Sequence, residues 1–181
     1  MDNSEGLKNL QLAAIMIRGN FLHRVIELET FIDAYIAQHF ASDDTKLEEI
    51  FCLMLSPRIS LENKKQVFVY LVDKYNPEFK REHKKYSSIL TKIIEWRNVF
   101  AHYPIDITDE AVKTFEEKKL ITFIKHKNSD DNLEKVMTLV NHLILTNEQV
   151  INFTKVIYDM RDAISKIVNL QQPPPLSTSQ S

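Results

Sequence analysis

Chain-breaking residues are scarce in this sequence, and that scarcity limits the fold more than any other property. Only two glycines occur, Gly6 and Gly19, and before residue 171 only Pro57, Pro77 and Pro104 interrupt the chain. A many-turned β fold needs Gly and Pro at most of its corners, whereas long helices need neither. The 181 residues are enough for one domain with a full apolar core. Hydrophobic residues at 44% and charged residues at 27% are ordinary globular proportions, so burial can hold the fold without staples. The formal net charge of −2 gives no global pull toward nucleic acid or acidic membranes, which leaves only local patches for such contacts. Cys52 is the single cysteine, so an internal disulfide and a zinc-ribbon spacing are both excluded. Its place in the run Ile50-Phe51-Cys52-Leu53-Met54-Leu55 reads as a buried small hydrophobe. The opening MDNSEGLKNL is unlike a signal peptide, and no apolar run approaches the ~20 residues of a bilayer span. The expectation is a cytoplasmic chain with no membrane contact.

The helix signals are local and explicit. A first helix is expected from Ser4 to His39 or Phe40, loosened if anywhere at Gly19-Asn20. Asp43-Asp44 offers a cap for a short helix ending before Ser56-Pro57, and Ser60 caps a third helix through Tyr75, with Val67, Leu71 and Tyr75 on one face. Asn76-Pro77-Glu78 combines an Asn cap, Pro at the first helical position and an acid at the positive end of the dipole. This fourth helix should run on to His102, where Pro104 stops it by forcing Tyr103 out of the α region. Between 118 and 145, Leu120–Ile124 and Val136–Val140 flank the turn-like Ser129-Asp130-Asp131-Asn132 and favour a small hairpin. Val136, Leu139, Val140 and Leu143 also fit helical spacing. Thr146-Asn147-Glu148-Gln149 resembles a capping box for a last helix. Its stripe, Val150, Phe153, Ile157, Met160, Ile164 and Ile167, suits intramolecular packing better than a dimer seam. The expected fold is therefore mainly α: an up-and-down bundle of about five helices with a small β-hairpin before the last one. Residues 1–170 form the domain and 171–181 a Pro/Ser-rich flexible tail, whose three prolines suit an extended SH3-type ligand.

Helix geometry singles out one charge. At roughly 100° per residue, Ile89, Leu90, Ile93, Ile94, Trp96, Phe100 and Ala101 fill one arc of the fourth helix, and Arg97 lies near its centre. Thr91, Lys92, Glu95 and Asn98 face the other way. A buried guanidinium cannot shed its proton, so it requires an anion or an aqueous cavity. On the first helix, Phe21, Leu22, Val25, Ile26, Leu28, Ile32, Tyr35, Ile36 and Phe40 form the apolar arc, with Glu29 in its middle and Asp33 near its edge. Packing the two faces together predicts a Glu29–Arg97 ion pair, bidentate and direction-setting. Arg97 and His102 are five positions apart, and fraying before Pro104 would let the imidazole fold back toward the guanidinium. The structural alternative is that both cations complement the negative end of the helix dipole.

Other chemistry finds little support. His23 with Glu27, and His39 with Asp43, lie one turn apart, but no third ligand has a diagnostic spacing and no HExxH motif exists. His126 and His142 stand alone, and neither a Gly-rich phosphate loop nor a nucleophile elbow is present. No metal and no cofactor are expected. The best basic patch for RNA is Lys80-Arg81-Glu82-His83-Lys84-Lys85-Tyr86, of which Lys80, Arg81, Lys84 and Lys85 would bear on phosphate; Lys125-His126-Lys127 is second.

The run Arg97-Asn98-Val99-Phe100-Ala101-His102 at the end of a long helix resembles the R-x4-6-H signature of the HEPN superfamily. An acid on the first helix and a helix-rich layout over residues 5–169 accompany it. The resemblance implies a metal-independent endoribonuclease of toxin or defence type, acting as a homodimer in which two motifs meet, with an antitoxin-like protein as a further partner. Carried across, His102 is the general acid or base at the ribose 2′-hydroxyl, Arg97 stabilises charge on the phosphate, and Asn98 binds phosphate or orients His102. Glu29, Asp33 and Tyr103 support them. A 2′,3′-cyclic phosphate is the implied product. The family also holds silent members, which implies the alternative of a helical dimerisation or interaction module with Glu29–Arg97 as a structural ion pair. Joint opening of Arg97 and His102 into a cleft would favour the enzyme; sealing by Trp96 and the first helix would favour the module.

Overall fold

In the computed structural model, residues 3–55, 58–126, 133–139, 148, 150–155 and 157 are described. The absence of prolines lets the first helix, α1 (Asn3–Phe40), run unbroken through Gly19. At about 1.5 Å per residue it is roughly 57 Å long and serves as the spine. Its inner face, including Leu10, Ala14, Phe21, Val25, Leu28, Ile32 and Ile36, is buried. Ile26 and Phe40 depart from the expected arc and are exposed. Ile26, five residues past Phe21, falls on the opposite side of the helix from the elements that cover Phe21.

The caps follow the sequence signals. Asp43 accepts a hydrogen bond from the Lys46 amide at 2.8 Å and opens α2 (Asp44–Glu49), which continues into a π-helical segment, Ile50–Leu55. Only Leu55 of that segment is fully buried, and Cys52 is exposed, which corrects its expected burial. The wider π turn rotates the apolar run so that Leu53 and Met54 also face outward. Ser60 caps α3 (Leu61–Tyr75), whose buried side is Leu61, Lys64, Phe68, Leu71 and Val72. Val67 and Tyr75 lie outside that stripe and are exposed.

Asn76 caps α4 (Pro77–Glu82), accepting from the Phe79 amide at 3.2 Å. The expected long fourth helix breaks here: His83–Lys85 form a turn, and α5 spans Tyr86–His102. Six consecutive polar residues separate Phe79 from Tyr86, so no buried side chain holds the helix straight between them. The two rings still meet, at 5.5 Å, and Tyr86 donates to Asp73 at 2.7 Å. Pro104 ends α5 with Tyr103 in extended geometry (φ −102°, ψ 126°).

An additional helix, α6 (Asp109–Lys118), follows, capped by Thr108, with Ala111, Val112 and Phe115 buried. It crosses α1 at Gly6, where a Cβ would collide with Val112 and Glu116. The hairpin is present: β1 (Leu120–His126) pairs antiparallel with β2 (Leu133–Leu139), Phe123 opposite Val136. On the other edge of β1 the chain after Pro104 runs alongside, with an Ile105–Phe123 bridge. Residues 150–155 are helical, and Val150, Phe153 and Ile157 are buried within the chain. Met160, Ile164, Ile167, His142, the turn at Ser129–Asn132, most of the proposed capping box and the tail lie outside the described residues. Among the described residues, no helix is long and apolar enough to cross a membrane.

Candidate functional site around the end of α5

The C-terminal half of α5 is positioned by aromatic packing. Phe100 is buried against Phe21 of α1 at 4.9 Å, Phe123 of β1 at 5.3 Å and Trp96 at 5.7 Å. These contacts draw on spine, sheet and helix together, so the last turns of α5 are fixed from three sides.

Arg97 is half-buried and Asn98 exposed. The guanidinium donates to the Asn98 side-chain oxygen at 3.1 Å. Both residues line a cavity of about 290 Å³ together with Glu29, Ile94 and Ile59–Glu62. The cavity exists because α3 and α5 are antiparallel and of unequal reach. Tyr86 meets Val69 and Asp73, Thr91 meets Lys65, and Arg97 comes level with the first residues of α3. Beyond this point α5 outruns α3, so Arg97 opens to a cavity and Ala101 to solvent, although the helix wheel places both on the apolar side.

The expected Glu29–Arg97 ion pair does not form. Glu29 and Asp33 are both taken by Lys64 of α3, at 2.6 and 2.8 Å. Lys64 is 0% exposed, yet its ammonium reaches two carboxylates. Burial pushes the Asp33 carboxyl above the usual aspartate range, and the Lys64 bond and charge offset this only in part. One Asp33 oxygen, Oδ1, is buried without a hydrogen-bond partner. The sequence reading missed Lys64. Its signal was available: Leu61, Lys64, Phe68 and Leu71 fall on one stripe at steps of three and four, and the lysine interrupts it.

His102 is exposed, and α5 stays helical through it rather than fraying. Five positions on a regular helix set Arg97 and His102 about 140° apart around the axis. Among the described residues no hydrogen bond joins them, and the cavity beside Arg97 is not lined by His102. A second set of cations lies instead against the next residue, Tyr103. Arg18 of α1 donates to the Tyr103 carbonyl at 2.6 Å and stands over the Phe123 ring. Burial lowers the Arg18 pKa from its ordinary value. Lys125 of β1 lies 5.9 Å from the Tyr103 ring centre. Arg18 was not foreseen, since nothing on the wheel of α1 distinguishes it from other flank residues.

The leading basic run sits at the opposite end of α5. Arg81, Lys84 and Lys85, with His83, line a cavity of about 340 Å³ that also includes Phe153, and Lys80 pairs with Asp73 at 3.0 Å. From Tyr86 to His102 the helix rises roughly 24 Å, so this patch and His102 are separated by most of α5. His39 packs on Tyr75 at 4.4 Å while Asp43 caps α2, and His23 lies 3.5 Å from Glu27, which accepts a hydrogen bond from Arg24. Among the described residues no cluster of three or more His, Cys, Asp or Glu has the arrangement of a metal site. No protein-family model matches the chain, and neither curated proteins nor solved structures give a significant match.

Proposed function

We propose that this chain is a HEPN-like, metal-independent endoribonuclease of toxin or defence type that works as a homodimer. One observation carries the reading: the acid that would have neutralised Arg97 is held by Lys64, which leaves the guanidinium and Asn98 facing a cavity. A half-buried guanidinium beside an amide suits the non-bridging oxygens of a phosphodiester. The exposed imidazole of His102 removes the proton of the ribose 2′-hydroxyl. The 2′-oxygen then bonds to phosphorus as the bond to the 5′-oxygen breaks, and that oxygen takes a proton. A 2′,3′-cyclic phosphate and a 5′-hydroxyl result. Arg97 and His102 face different sides of α5, so the substrate must wrap the helix end or the two groups must come from different copies. The homodimer supplies the second copy, and an antitoxin-like protein would act by covering this end.

A second reading, a silent helical interaction module, is favoured by the lack of any hydrogen bond between Arg97 and His102 among the described residues. Incubating pure protein with mixed RNA in EDTA separates the two. The nuclease reading expects cyclic phosphate ends, and cleavage at least about 100-fold slower in His102→Ala and Arg97→Ala. No cleavage by the wild type, or equal cleavage by His102→Ala, leaves the module.

A further inference from the structure

The spine α1 is apolar on two opposite sides. Its inner side is the core stripe already described. On the outer side Leu12, Ile15, Met16 and Ile26 are 55%, 67%, 58% and 62% exposed. With Gly19, Leu22 and His23 they form one band running lengthwise, about 120° wide and roughly opposite Leu10, Phe21 and Leu28. A surface helix of a lone domain carries polar residues there. Only His23 is polar within the band between Leu12 and Ile26, while the charged Lys8 and Glu27 mark its two ends.

The band also has a centre. Reversing it about Gly19 sets Leu12 opposite Ile26, Ile15 opposite His23, and Met16 opposite Leu22. Gly19 lies on the axis of that reversal. A methyl group built there meets no atom within 4 Å, so nothing among the described residues calls for a glycine at a position where it weakens the helix. A second helix crossing at this point would use the missing side chain as room for close approach.

We infer that the outer band of α1 is the contact surface for a second copy of this chain, packed antiparallel about a two-fold axis at Gly19. Three features favour a copy of the same chain. The band is self-complementary under the reversal, as a two-fold interface requires. The antiparallel arrangement brings Lys8 of one copy within about a turn of the position of Glu27 in the other, twice over. Four mostly exposed large side chains supply an apolar patch on the order of 400 Å², the core of an interface that buries about 800 Å² on each partner. Arg18, next to Gly19, holds the Tyr103 carbonyl from the flank of α1, and Phe100 packs on the inner side, so α1 stands between the axis and each α5 end. The inference rests on the homodimer proposed above only for its partner: in this dimer each α5 end acts within its own copy, and the association is measured by mass and fails separately from RNA cleavage.

Sedimentation of the full chain over a range of concentrations tests it. The wild type should sediment at twice the mass of one chain. Gly19→Lys should keep its helical circular dichroism, because the position is open, and weaken dimerisation at least about 100-fold by placing two lysines on the axis. In a Cys52→Ser background, Gly19→Cys should form a disulfide-linked dimer on oxidation, whereas Lys92→Cys on α5 should not. A wild type that stays monomeric, a Gly19→Lys dimer as tight as wild type, or equal cross-linking through residue 92 would each overturn the interface. A dimer broken by Gly19→Lys in a chain that never cuts RNA upholds the interface and removes the nuclease. Cleavage by a monomer does the reverse.

Discussion

Lys64 and Arg97 are both cations on helix faces that are otherwise apolar, and they have opposite fates. Lys64 is fully buried and meets two carboxylates of α1. Arg97 sits where α5 outruns α3 and keeps only its neighbour Asn98 as a hydrogen-bond partner among the described residues. The first arrangement closes its charges inside one chain, so its contribution is to register and stability. The second leaves a cation directed at a cavity, where it adds little to the stability of the chain. The difference teaches that an unexpected charge on an apolar stripe can be closed by a neighbouring element, as Lys64 is, or left open where that element ends, as Arg97 is.

Substitution provides the sharpest test of that contrast. Lys64→Ala strands Glu29 and the buried Asp33 and should cost about 3–5 kcal/mol in urea unfolding. Arg97→Ala should stay within about 0.5 kcal/mol of wild type, because little within the chain depends on it. Equal losses in the two variants would erase the distinction. A smaller effect is expected from pH. The folded pKa of Asp33 lies above its ordinary value because of burial, so the folded state binds its proton more tightly than the unfolded chain. Asp33 therefore contributes stability that is complete below pH 3.8 and is lost as pH rises through the raised folded value. Subtracting an Asp33→Asn stability profile from that of the wild type should show this decline, and a flat difference would refute it. The smallest change is expected from Asn98→Ala, which removes an exposed bond from Arg97. Its midpoint of thermal unfolding should barely move, while any RNA cleavage should fall by more than stability accounts for.

How much of this was legible in the sequence depended on whether the cause was local. The caps at Asp43, Ser60 and Asn76, the stop at Pro104 and the hairpin follow from residues within a few positions of the feature. The break at His83–Lys85 and the helix after Thr108 were missed, although each had a local sign: an unbroken polar run in one case, a Thr cap with an Ala111, Val112, Phe115 stripe in the other. The pairing of Glu29 was not legible. A wheel shows which side of α5 is apolar, but it carries no information on where α3 ends, and that end decides what Arg97 faces. Lys64 was legible as a charge on an apolar stripe, but choosing between it and Arg97 as the partner of one acid requires the lengths of both helices.

The two-sided character of α1 also has a consequence for biosynthesis. Within this chain α1 precedes every element that covers its inner face, from Leu55 to Phe123. At roughly 5–20 residues per second, the ribosome leaves that face uncovered for about 4–17 s after Phe40 has been made. During that interval both long apolar bands of the helix are bare at once. A nascent chain carrying residues 1–60 should therefore bind chaperones more strongly than one carrying the whole bundle, and neighbouring chains on one messenger would meet first through α1.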